Sequence, residues 1–296
     1  MSSPTQKDGK QPEGAGSAAA GGGSAQDEGG QELYLRLMTE QLTGWDNPRA
    51  MLERALQENL FLLLAQKILS LKPGAPDPAC YEILLRLKQE EDNLLPPGGF
   101  FDVAESLGMM AKIDRWVVRT VLSWCAARQK SNPGAQLPML CVNVSTQALT
   151  STSFLGAVRE ELSRAGVPPR TLCFEINERD VIEHYASAQG FIAALKPLGC
   201  RFTLDAFGSV KVSFSHLKGL AVDFVKIDGV IIDSMLQGPL GPATVKAINM
   251  VCNEVGIRTI AEFVETKKTL DKLREIGVDY VQGFGIARPE PLAKLA

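Results

Sequence analysis

The chain has 296 residues, long enough for one large domain, and an α/β barrel commonly occupies about 250 residues as a single unit. With 45% apolar residues, 22% charged residues and a net charge of -3, the composition is that of a soluble globular protein with no general attraction for a DNA or RNA backbone. No apolar run reaches the roughly 20 residues that span a bilayer, and Met1 to Asp8 lack a signal-peptide core, so the expectation is a cytoplasmic protein with no membrane partner.

The first 30 residues are rich in Gly, Ser, Ala and Gln, with no aromatic or branched aliphatic side chain. They cannot bury enough surface to offset ordering entropy, which predicts a disordered tail over 1–30. Leu33, Leu35, Leu37, Met38 and Leu42 then suggest a short helix over Glu32 to Thr43, and Asn47-Pro48 reads as the N-cap and first-turn proline of a second. These form a helical lead-in over 31–58, ahead of the main domain at 59–296.

From there apolar, strand-like runs alternate with stretches of helical spacing. The predicted strands are Leu60–Leu69, Tyr81–Leu87, Met139–Val144, Leu172–Ile176, Arg201–Leu204, Asp223–Ile227, Arg258–Ala261 and Asp279–Val281. Helical spacing marks Ile113–Arg128, Ser153–Ala165, Ala186–Leu198, Ala243–Val255 and Lys267–Ile276. Eight strands in such alternation, with no G-x-G-x-x-G after any of them, favour a TIM-like β/α barrel over an open doubly wound sheet. The six cysteines are scattered without a C-x-x-C pair, and several sit in strands. They read as reduced core thiols rather than a zinc site or a disulfide framework.

Polar residues interrupt or end these runs. Glu82 lies near the start of one, Asn143 near the end of another, and Glu175, Asp205, Lys226, Glu262 and Gln282 end or closely follow theirs. Singly, a carboxylate at a strand end is usually a helix cap or a surface charge. Four acids, two amides and a lysine on one rim would instead repel one another unless a cation sat among them. The donors are oxygens, with no histidine or thiolate among them, so Mg2+ or Mn2+ fits better than zinc.

At these residues the sequence resembles the EAL family of cyclic di-GMP phosphodiesterases, over about Leu56 to Leu292. The resemblance is carried by Tyr81-Glu82-Ile83-Leu84-Leu85-Arg86-Leu87, Val142-Asn143-Val144-Ser145, Phe174-Glu175-Ile176-Asn177-Glu178, Asp205-Ala206-Phe207-Gly208, Lys226-Ile227-Asp228, Glu262-Phe263-Val264-Glu265 and Gln282-Gly283-Phe284. It implies that Glu82, Asn143, Glu175 and Asp205 hold a first metal, with Asp205 bridging to a second. Two metals about 3.5–4 Å apart can activate a water for in-line attack on a phosphodiester. By the same resemblance Lys226 orients that water, Glu262 handles protons, Arg86 contacts phosphate and Gln282 lines the wall. Glu178, Glu265 and Asp228 are then expected to support the surrounding loops.

The chain departs from the family where two adjacent aspartates are expected, because Asp205 is followed by Ala206. No side-chain oxygen remains there to hold the second metal. The loop that follows, Gly208-Ser209-Val210-Lys211-Val212-Ser213, has a valine where the family has its second glycine. The leading expectation is therefore a cyclic di-GMP receptor whose hydrolysis is weak or lost. An active phosphodiesterase, with water or Glu265 replacing the missing carboxylate, and a nucleotide-independent protein-interaction module stand as alternatives. A homodimer through the helices near the loop after Asp205 is a further implication of the resemblance, while a protein partner docked through the barrel or the Glu32 to Thr43 helix belongs to the interaction-module alternative.

Overall fold

The computed structural model of the chain describes residues 45–72, 78–88, 94–95, 97–209, 213–217 and 219–295. The predicted tail, the helix expected over Glu32 to Thr43, and Val210 with its two following residues lie outside the described residues. The described chain opens on the helix Pro48–Gln57, where the Asn47 side chain accepts a hydrogen bond from Ala50 N at 3.1 Å and proline occupies the first turn.

Eight strands close into a barrel: β1 (Phe61–Ser70), β2 (Cys80–Lys88), β4 (Met139–Val144), β5 (Leu172–Asn177), β6 (Arg201–Phe207), β7 (Phe224–Ile227), β8 (Arg258–Ala261) and β9 (Tyr280–Val281). Two-residue strands, β3 (Leu94–Leu95) and β10 (Glu290–Pro291), add to it beside β2 and β1. The β2–β4 and β4 through β9 pairings are parallel. β1 runs antiparallel to both β2 and β9, and its pairing with these two closes the ring. The eight predicted strands all appear, with ends shifted by up to three residues.

Helices pack around the outside. The longest, Met110–Ser131, buries Ile113, Trp116, Val117, Val121 and Leu122, an i, i+3, i+4 stripe facing the barrel. It exceeds the predicted Ile113–Arg128 because its first turn is apolar on the buried side. The helix Thr152–Ala165 starts on a Ser151 cap and stops at Gly166, whose φ of 64° is the left-handed geometry that ends helices. Among the described residues no helix is long and apolar enough to cross a membrane. All six cysteines are buried free thiols.

Strand pleating sorts the barrel interior into layers. The lower layer is apolar: Ile68, Cys80, Met139, Cys141, Cys173, Phe224, Ile260 and Tyr280. Cys80 Sγ lies 3.7 Å from Cys141 Sγ, and Cys173 Sγ lies 3.2 Å from Thr203 Oγ1. Burial pushes the Cys173 thiol well above its usual range and leaves it inert. Two residues further along each parallel strand, the pleat returns the side chain to the interior one level higher. At that level the residues become polar.

The candidate active site at the barrel rim

Moving two residues up from the apolar layer leads from Cys80 to Glu82, Cys141 to Asn143, Cys173 to Glu175, Thr203 to Asp205, Phe224 to Lys226, Ile260 to Glu262 and Tyr280 to Gln282. On the reversed strand β1 the same step runs backwards, from Ile68 to Gln66. The period of two therefore assembles one polar layer from all eight strands. Along β2 it also aligns Glu82, Leu84 and Arg86 on the face that lines a cavity.

Lys226 is the centre of this layer. Its side chain is 1% exposed, and Nζ lies 3.2 Å from Glu82 Oε2, 3.2 Å from Glu175 Oε2, 3.4 Å from Asp205 Oδ1 and 3.1 Å from Glu262 Oε1. Burial alone disfavours the ammonium, but the four surrounding carboxylates outweigh it and hold the lysine well above its ordinary value. Lys226 thus supplies one positive charge among the acids, beside the divalent cation expected from the sequence.

The four carboxylates differ in their surroundings. Burial tends to raise Glu82, but Lys226, Gln282 and Asn143 together bring it below its ordinary value. Its Oε1 accepts from Asn143 Nδ2 at 3.1 Å, and its Oε2 accepts from Gln282 Nε2 at 2.6 Å. Burial pushes Glu175 well above the carboxylate range against the pull of Lys226, with Glu82 and Asp205 adding repulsion. Glu262 is pushed up to about 7, again mainly by burial. One ammonium does not neutralise four carboxylates, and the raised Glu175 and Glu262 reflect that imbalance.

Some of its oxygens are without a hydrogen bond. Glu175 Oε1, Asp205 Oδ1 and Gln282 Oε1 are buried and make none; Asp205 Oδ1 meets Lys226 at ion-pair distance without hydrogen-bond alignment. Carboxylate and amide oxygens of this kind suit Mg2+ or Mn2+. Among the described residues, no three His, Cys, Asp or Glu side chains are gathered as a ready-made ion cage. The residues therefore fit a hard divalent cation in donor chemistry, with Lys226 holding the same carboxylates.

Ala206 sits where β6 loses its regular register with β7, between Leu204 and Phe207, and has φ 52°. A bulge beside a site redirects the chain, and a left-handed residue there is more naturally Gly, Asn or Asp than Ala. Beyond it, Glu178 Oε2 accepts from Gly208 N at 2.8 Å. Asp228 accepts from Val230 N at 2.8 Å and caps the helix Gly229–Ser234. Glu265 lies in a cavity wall.

Two cavities flank the polar layer. One, of about 770 Å3, is lined by Ser145, Asn177, Arg179, Ala206 and Ser209 among others. The other, of about 310 Å3, is lined by Gln66, Glu82, Arg86, Glu262, Phe263 and Gln282 among others. Sequence reasoning missed Gln66, which accepts from Gln282 Nε2 at 3.1 Å and donates to Ala287 O at 3.0 Å. A polar residue in the middle of an apolar run was the available signal.

Comparison with known proteins gives the family and the fold. The EAL domain family matches residues 49–289. The chain is 33% identical over 240 residues to the cyclic di-GMP phosphodiesterase PdeB of Shewanella oneidensis, covering 81% of this chain and 28% of that protein. It is 31% identical over 241 residues to the cyclic di-GMP phosphodiesterase PdeF of Escherichia coli, covering 81% and 31%. The chain thus spans about a third of the length of these relatives. Among solved structures, the FimX EAL domain of Pseudomonas aeruginosa bound to c-di-GMP superposes with a TM-score of 0.76 at 30% identity, covering 82% of this chain and 96% of that one. The Xanthomonas citri FimX EAL domain in complex with c-di-GMP gives 0.77 at 30% identity, covering 88% and 99%. A polar layer built in register on a TIM-like barrel and a family match over four-fifths of the sequence lead to one conclusion: this chain belongs to the EAL domain family.

Proposed function

We propose that the chain is a cyclic di-GMP receptor in which hydrolysis is slow or lost. The observation that carries this reading is Ala206, a methyl group on a left-handed bulge next to Asp205, within an otherwise complete polar layer. The relatives named for cyclic di-GMP phosphodiesterase activity, and the EAL domains solved with c-di-GMP, support the ligand.

The two cavities suit a ligand with two halves. Arg179 lines the larger one and Arg86 the smaller, so each offers a guanidinium to an anionic group on either side of the acidic layer. A cyclic dinucleotide is a dianion and is repelled by surplus carboxylates unless cations offset them. Glu82, Asn143, Glu175 and Asp205 would hold a divalent cation. When bound, that ion supplies charge neutralisation and a more acidic water. Lys226 keeps the carboxylates fixed around it, and Glu262, with its raised pKa, is suited to hold or release a proton near neutrality.

Loss of a second metal ligand removes several kcal/mol of transition-state stabilisation, and each 1.36 kcal/mol is tenfold in rate. Glu265 lines the smaller cavity and Ala206 the larger, which speaks against Glu265 replacing the absent carboxylate. The test incubates the protein and an Ala206→Asp variant with cyclic di-GMP and Mg2+ or Mn2+, following linear dinucleotide by chromatography. Cleavage by the variant alone is the expected result. Steady turnover by the unaltered protein would make it an enzyme, and absence of binding in calorimetry would end the receptor reading.

A further inference from the structure

Phe263 is the most unusual residue of the rim. It is a bulky side chain with φ 53°, a conformation in which large residues are rare, and it is 66% exposed. Strain of this kind persists only where the surroundings impose it, and such residues cluster at ligand sites. Here the surroundings are explicit. Val264 N donates to Gln282 O at 2.9 Å, and Gly285 N donates to Val264 O at 3.0 Å, so the backbone after Phe263 is tied to the segment after β9. Gly283 and Gly285 permit that approach, since a Cβ at either would collide with the backbone of Val264 or Glu265.

The ring is seated as firmly as the backbone. A Cβ added at Gly229 would fall on the Phe263 ring, so this glycine leaves room for it at the start of the helix Gly229–Ser234. The rest of the ring faces the smaller cavity. Phe284, 59% exposed, lines the same cavity and has the Arg288 guanidinium 5.4 Å from its centre. Gln282, 4% exposed, stands in the cavity wall with Oε1 lacking a donor. A cavity of about 310 Å3 with a fixed exposed ring and an unmatched acceptor suits a planar, hydrogen-bonding aromatic group.

We infer that Phe263 is a stacking platform for a purine base of the ligand, held ready in a strained conformation by Gly229, Gly283 and Gly285. The inference rests on the nucleotide reading above and adds the residue that grips the base. A π-face stacks on any base, so the platform supplies affinity, while discrimination falls to the polar groups around it.

The experiment uses Phe263→Gly and Phe263→Trp in the full chain. Glycine relieves the backbone and removes the ring, so the platform predicts a higher melting temperature together with cyclic di-GMP binding about tenfold weaker, equivalent to about 1.4 kcal/mol. A ring that served only packing would lower the melting temperature when removed and leave binding unchanged. Phe263→Trp should bind like the unaltered protein, and its added fluorescence should be quenched by cyclic di-GMP and by millimolar GMP, but not by ribose 5-phosphate. Unchanged affinity in the glycine variant with no quenching by either base-bearing ligand overturns the platform. Quenching by GMP in a protein that fails to bind cyclic di-GMP upholds the platform and removes the receptor reading. Silence toward both nucleotides removes both.

Discussion

Replacing Lys226 by methionine keeps an unbranched chain of similar length and deletes the charge that four carboxylates share. The ammonium is 1% exposed and makes all four of its ion pairs within 3.4 Å. Removing one partner of a buried ion pair costs about 3–5 kcal/mol, because the remaining charge is stranded. For a domain of this size each kcal/mol moves the melting temperature by about 2–4 °C, so the expected loss is about 6–20 °C. The loss should be largest near pH 8 and shrink toward pH 5.5, where Glu175 and Glu262, already pushed up by burial, take protons instead. Magnesium should restore part of it, since a cation bound at 100 times its Kd adds about 2.7 kcal/mol. Urea unfolding at both pH values, with EDTA or with Mg2+, measures each component. A variant within about 1 kcal/mol of the parent at pH 8 in EDTA would refute the view that Lys226 is the countercharge of this layer.

Three further outcomes follow from the same structure. Asp114 is 7% exposed, accepts from Ser145 N and Oγ at 2.9 and 2.6 Å, and is pushed by burial to about 6. A carboxyl raised in the folded state favours folding while protonated, and that contribution is lost as pH rises through about 6. Stability relative to Asp114→Asn should therefore fall by about 3 kcal/mol at most between pH 4 and 7, read by denaturant unfolding. Glu178→Ala leaves Gly208 N without this acceptor in a part-buried site and should cost about 1–3 kcal/mol in the same assay. Ala206→Gly removes a left-handed alanine and should raise stability by about 1 kcal/mol, whereas a loss would mean that the bulge is not strained.

Much of the fold was legible because buried parallel strands are short apolar runs, and the polar residue near the rim end of each run marks its register. Glu175, Asp205, Lys226 and Gln282 could be picked out on that basis alone. Gln66 left a signal as a polar residue inside an apolar run, but it sits in mid-strand rather than at a strand end, because β1 runs antiparallel to both of its barrel neighbours. The bulge at Ala206 was hidden for a related reason: register shifts depend on the partner strand. Lys226 was recognised as a site residue, yet its place at the centre of the acids depends on the closed ring, which no local window contains. The two-residue strands β3 and β10 are too short to leave any periodic trace.

The reversal of β1 also decides where the chain arrives. In the parallel strands the amino ends lie at the floor and the carboxyl ends at the rim, but β1 starts level with Leu87, at the rim end of β2. The helix Pro48–Gln57 therefore joins the barrel at the rim that carries the polar layer. There Arg49 donates to Leu107 O at 3.1 Å, and Ala55 and Ala104 are both buried in the core. From that end β1 runs down to Gln66, which accepts from Gln282 in the polar layer at 3.1 Å, and then on to Ile68 in the floor. The helix Pro48–Gln57 is thus the immediate neighbour in sequence of a strand that contributes to the polar layer, on that layer's own side of the barrel.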